Sequence, residues 1–175
     1  MNLSFLKNLI FILFLFLPFL SEAQNPDLIF SGGINSLTLR KSTHREIEKL
    51  FGKPDSLRFD YSNTNIGACI PFRHSYLEYS KRGFSVSCSS YGRKKTSKRK
   101  KWLRELQYNE NSGIILNETV ECGKTKKEDI ISMFPDYDTS DEAEIVSCRS
   151  KWNGKVVTIY FSFDSSGTLF QVELE

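Results

Sequence analysis

The sequence predicts an α+β protein of two tandem repeats, each a short helix packed on a three- to four-stranded antiparallel sheet. Two observations carry this. An apolar pattern with a helical period recurs at an offset of 83 residues, and each copy is followed by segments that alternate apolar and polar side chains. The expected organisation is a leader over residues 1–23, a first repeat over 24–110 with a basic hairpin at 91–104, and a second repeat over 111–175.

The leader comes first. Lys7 supplies a positive charge, residues 9–20 (LIFILFLFLPFL) are apolar throughout, and Ser21 and Ala23 place small residues at −3 and −1 relative to Gln24. Twelve helical residues rise only about 18 Å, short of the roughly 30 Å hydrocarbon core. The expectation is a signal peptide cleaved after Ala23 and a secreted or periplasmic chain with no transmembrane segment. The first cysteine after the run is Cys69, so no lipid-attachment site follows it. The rest, 39% apolar and 26% charged over the whole chain, has a globular composition and excludes disordered and collagenous classes.

In the first repeat, Ile47, Leu50 and Phe51 stand at +5, +8 and +9 from Ser42. In the second, Ile130, Met133 and Phe134 hold the same places relative to Thr125. That spacing makes one helical stripe, with Ser42 and Thr125 as expected N-caps and Gly52 and Pro135 as stops. Thr125–Glu128 and Thr43–Glu46 are candidate capping boxes, the latter one residue out of register with the apolar phase. Strands are expected over 76–79, 84–90 and 101–108, then over 143–150, 155–163 and 168–174. Turns fall at Asn153-Gly154 and at residues 164–167.

The element Gly-x-Ser/Thr-x-x-x-x-Ile/Val-x-x-x-Phe-Gly-x-Pro is held in halves. Gly123-Lys-Thr125 supplies its start, with Pro135 in place of the later Gly, and Phe51-Gly52-Lys-Pro54 supplies its end, with Arg40 in place of the first Gly. It resembles the tandem modules of the beta-lactamase inhibitory protein and of the small lipoproteins of outer-membrane assembly. The resemblance implies a fold without catalysis that presents a sheet face to a protein partner.

Cys69, Cys88, Cys122 and Cys148 are an even number in an exported chain, which favours disulfides. Pairing within repeats would join Cys69 to Cys88 and Cys122 to Cys148; the rival joins Cys88 to Cys122. No CxxC occurs and neither histidine stands at ligand spacing from a cysteine, so no metal and no cofactor is expected. His44 follows Ser42 and Thr43, but neighbouring helix positions do not face each other, and His74 reads as a surface residue. The acidic group Asp136, Asp138, Asp141, Glu142 and Glu144 lacks the glycine turn and terminal glutamate of a calcium loop. Nothing here assembles a catalytic site, and the chain is not expected to be an enzyme.

Eight of the 12 residues over 93–104 are basic: Arg93, Lys94, Lys95, Lys98, Arg99, Lys100, Lys101 and Arg104. Net charge is +3 overall, yet outside this run the chain after residue 23 has 15 basic and 20 acidic residues. Trp102 lies within the run. Two functions follow as expectations: an exported protein-binding module, inhibitor-like or an envelope-assembly accessory, with Tyr76, Trp152 and Tyr160 as anchors, or a binder of polyanions or anionic envelope surfaces acting through the basic run. Salt separates them, because counterion release makes polyanion binding fall steeply with ionic strength.

Overall fold

A computed structural model describes residues 25–62, 72–91, 101–140 and 144–175. Its main body is one antiparallel sheet of eight strands in the order β1-β2-β3-β4-β10-β9-β8-β7. The strands are β1 (Ser56–Ser62), β2 (Phe72–Tyr79), β3 (Phe84–Tyr91), β4 (Trp102–Asn109), β7 (Tyr137–Ser140), β8 (Ile145–Trp152), β9 (Lys155–Phe163) and β10 (Leu169–Leu174). A small hairpin of β5 (Ile115–Leu116) and β6 (Val120–Glu121) lies between the two meanders in sequence. The described residues form two α-helices, α1 (His44–Phe51) and α2 (Lys127–Met133).

This overturns the expectation of two tandem helix-on-sheet repeats. β4 and β10 pair directly, with Leu106 opposite Leu174, Tyr108 opposite Val172 and Gln107 opposite Glu173. The two meanders therefore share one sheet, and one buried cluster runs from Leu28 to Leu174. The strand edges that separate repeats would leave open are closed against each other, which satisfies their backbone groups. Phe30 joins the sides by meeting both Tyr108, at 6.2 Å between ring centroids, and Trp152, at 5.2 Å. The sequence pattern is local and carries no signal for a strand pairing about 65 residues apart.

Both helices lie on the same face of the sheet. Ile47 and Ile130 are fully buried, Phe51 packs edge-on against Phe84, and Phe134 meets Phe161. Helices of two turns are unstable alone in water, so this burial holds them. Neither Ser42 nor Thr125 is the N-cap, while the Thr43–Glu46 capping box is present. Thr43 caps α1 in a capping box with Glu46, while Ser42 Oγ accepts the Thr38 N–H of the turn before it. Thr125 Oγ1 likewise accepts the Glu121 N–H, and the N-cap of α2 is Lys126, whose N–H donates to the Asp129 carboxylate.

Two β-bulges explain apolar spacings that do not alternate. Between Ser87 and Cys88 the register against β4 shifts at Arg104, so Leu103 and Leu106, three apart, both point inward. Leu169 and Val172 share the inner face for the same reason, around Phe170. The Asn153-Gly154 turn has positive φ at both residues, 49° and 72°, and closes a two-residue hairpin with Trp152 opposite Lys155.

The expected disulfides do not form among the described residues. Cys88, Cys122 and Cys148 are all free and buried, so neither the Cys122–Cys148 link nor the rival Cys88–Cys122 link exists. The alternation that turns Cys88 and Cys148 inward makes them small core residues. Cys69 lies outside the described residues, as do residues 1–24 and 92–100.

Candidate functional site: the open face of the sheet

Strand alternation sends Val86, Leu106, Val172, Phe161 and Val146 to the helix side, leaving their neighbours on the opposite face. Register then sets one row across all eight strands of that face: Ser56, Glu78, Ser85, Gln107, Glu173, Tyr160, Ser147 and Asp138. The row beside it begins Arg58, Tyr76, Ser87, Glu105. Across the seam it resumes with Glu175, whose backbone exchanges two hydrogen bonds with Thr158, which faces Arg149. No α-helix among the described residues lies on this side.

Tyr76 and Tyr160 stand here, half-buried, one in each half of the sheet. The Arg58 guanidinium lies 4.8 Å from the Tyr76 ring centroid, and His74 stacks on the same ring at 6.1 Å. Arg58 and His74 thus both contact this ring, the guanidinium through cation–π attraction. Tyr160 borders a shallow hollow of about 930 Å³ that Arg149 and Asp138 also line. Trp102, opposite Ser89, joins this face near β2 with 36% of its surface exposed.

Between the tyrosines, at the β4–β10 seam, are Glu105, Glu173 and Glu175. Burial first, then the charges of Glu105 and Glu175, raise the Glu173 carboxyl above the usual range. Ser87 Oγ donates to Glu105 at 3.2 Å. The described residues hold no group of three or more His, Cys, Asp or Glu side chains arranged to bind a metal ion. The face is acidic at its centre and aromatic with arginine to either side.

Trp152 is a correction. It is fully buried against Phe30, because β8 turns Val146, Cys148, Ser150 and Trp152 inward together. Its parity with Val146 is legible in the sequence and marks it as core. Of the basic run, Arg93, Lys94, Lys95, Lys98, Arg99 and Lys100 lie outside the described residues. Lys101 places its ammonium 4.1 Å from the Phe59 ring centroid, and Arg104 is the bulge residue of β4. Arg58, Glu105, Glu173 and Glu175 escaped the sequence reading. For the last two the signal was present, since they alternate with Val172 and Leu174.

His44 sits at the start of α1, its Nε2 3.4 Å from Glu48. Burial lowers its pKa below the usual histidine value, against the opposing pull of Glu48. The three thiols are each pushed up to about 12, chiefly by burial, which leaves them protonated and inert.

Compared with protein-family models, curated proteins and solved structures, the chain matches none.

Proposed function

We propose that the chain is an exported, non-catalytic protein-binding module that engages its partner through the open face of its sheet. The observation that carries this is the make-up of that face: Tyr76 held by Arg58 and His74, Tyr160 beside Arg149, and the Glu105, Glu173 and Glu175 carboxylates between them. Tyrosine and arginine are enriched among interface hot spots, tyrosine because it buries large area with few torsions to freeze, arginine because its planar fork makes several hydrogen bonds at once. Burial first, and then the charges of Glu105 and Glu175, hold the Glu173 carboxyl above its usual range, and a cation set among the three would oppose both. The partner this fits is a protein surface offering lysine or arginine between two apolar patches. The residues of the leader, 1–23, support export, and no described helix is long and apolar enough to cross a membrane.

The test is a comparison. The exported chain and a Tyr76→Ala/Tyr160→Ala variant are used to capture proteins from the envelope and medium of the exporting cell. A species held by the parent and bound at least about tenfold more weakly by the variant, with melting unchanged, supports the reading. A species retained equally by both refutes it. The polyanion alternative rests on the 93–104 run. Changing Lys98, Arg99, Lys100 and Lys101 to Ser would abolish heparin binding on that reading and leave partner capture intact on the first.

A further inference from the structure

The two edges of the sheet are treated differently. On one side β7 has four residues, and the chain at 25–28 runs beside β8 beyond it, with the Leu28 N–H donating to Lys151 O and the Asn25 amide to Arg149 O. That edge is short and partly covered. On the other side β1 is seven residues long, pairs among the described residues only with β2, and has no proline or bulge. A strand of that kind is a template for another strand. Its Leu57 and Phe59 turn toward the helix side yet are 41% and 48% exposed, with the Lys101 ammonium 4.1 Å from the Phe59 ring centroid.

The sequence of β1 identifies the occupant. Ser56-Leu-Arg-Phe-Asp-Tyr-Ser62 reads with nearly the same chemistry in both directions: serine at each end, an apolar residue next, and Arg58 and Asp60 either side of Phe59. Antiparallel pairing with an identical strand about a two-fold axis at Phe59 sets position 58 of each copy opposite position 60 of the other. Both Arg58–Asp60 pairs are then matched at once, and Phe59 meets its own counterpart. A shift of two residues would bring Arg58 opposite Arg58 or Asp60 opposite Asp60. We propose that the protein forms a two-fold homodimer by pairing β1 edge to edge, which continues the sheet into a second copy. Isologous contacts of this sort need a self-complementary patch, and β1 is one.

Charge reversal tests it without needing a ligand. The association of the purified exported chain is measured by sedimentation equilibrium across a wide concentration range. Arg58→Asp and Asp60→Arg should each weaken association by at least about tenfold, since each puts two like-charged pairs across the interface. An equimolar mixture of the two variants should restore it, because every cross-copy pair is again opposite in sign. The double reversal should restore it too. A second arm fixes the register. Opposed residues have Cβ atoms about 4.5–5.5 Å apart, so Phe59→Cys should give an oxidised dimer. Leu57→Cys should not, because its counterpart would lie about 13 Å away along the strand. A parent that stays monomeric throughout overturns the proposal. So does a dimer indifferent to the reversals, a mixture that fails to associate, or a Leu57→Cys variant that cross-links as well as Phe59→Cys.

Discussion

Trp152 gives the sharpest test of the corrected architecture. It has no exposed surface, it packs edge-on against Phe30 from the N-terminal segment, and its indole N–H has no hydrogen-bond partner. Trp152→Ala would empty the point where the N-terminal segment meets β8, and truncations of this kind cost about 3–5 kcal/mol. For a chain of this size each kcal/mol moves the midpoint by about 2–4 °C, so melting should fall by roughly 6–20 °C. Trp152→Phe should behave differently. It keeps an aromatic ring against Phe30 and removes a buried donor whose desolvation is uncompensated, a penalty of about 1–3 kcal/mol. The two terms nearly cancel, and Trp152→Phe should stay within about 1 kcal/mol of the parent. Thermal and urea unfolding followed by circular dichroism would measure both. If Trp152→Ala kept full stability while losing a binding partner, the tryptophan would be a surface anchor and the inward parity of β8 would be wrong.

Other outcomes follow from single sites. Gly83 has φ of +63°, and a Cβ there would stand 2.6 Å from Asn109 Oδ1 and against the Ser112 backbone, so Gly83→Ala should destabilise by more than about 1 kcal/mol. Cys88, Cys122 and Cys148 should resist alkylation at pH 8 in the folded protein and label fully in denaturant, as read by peptide mass spectrometry. His44 has a folded pKa below its unfolded value, so it lowers stability as pH falls through the usual histidine range. His44→Gln should flatten that part of the stability profile. Glu173 has the opposite sign for an acid: burial first, then the Glu105 and Glu175 charges, raise its folded pKa, so stability falls as pH rises through the usual carboxyl range. Glu173→Gln should therefore raise the melting temperature at neutral pH and, on the proposed function, weaken partner binding.

What the sequence showed and what it hid divide along local against distant information. The alternation in residues 155–163 and the Asn153-Gly154 turn are carried by neighbouring residues, and both appear in the structure with little change. The 84–90 and 101–108 segments likewise become a paired β3 and β4. β1 was missed because its serines, arginine and aspartate dilute the apolar count, as suits an edge strand with every residue from Ser56 to Asp60 exposed. The β4–β10 seam was missed because pairing of distant strands leaves no periodic trace. That seam also creates the acidic centre of the open face. Glu105 and Glu173 are 68 positions apart and become neighbours only when Gln107 meets Glu173. The tyrosines were legible as residues, but their common face was not.

The β1 pairing and the open face are linked by geometry. A two-fold axis that joins two antiparallel edge strands within one sheet stands perpendicular to that sheet, so it rotates each face onto itself. Both open faces of the dimer then look the same way, and both helix layers lie behind. Arg58 and Tyr76, on β1 and β2 and hence nearest the axis, would come together from both copies at the centre, with the two Tyr160 side chains far apart at the periphery. Such a dimer is bivalent toward one surface. Its second engagement is intramolecular, so avidity can exceed single-site affinity by about 10²–10⁴ without any new contact. Partner fixed densely on a surface should accordingly release the parent far more slowly than the Arg58→Asp or Asp60→Arg chain. The same partner as a soluble monomer gives the single-site affinity of each chain, so any direct effect of position 60, which stands opposite His74, is divided out of the release rates. Equal release from the dense surface would separate the two ideas: it would leave face binding standing and remove the dimer from it.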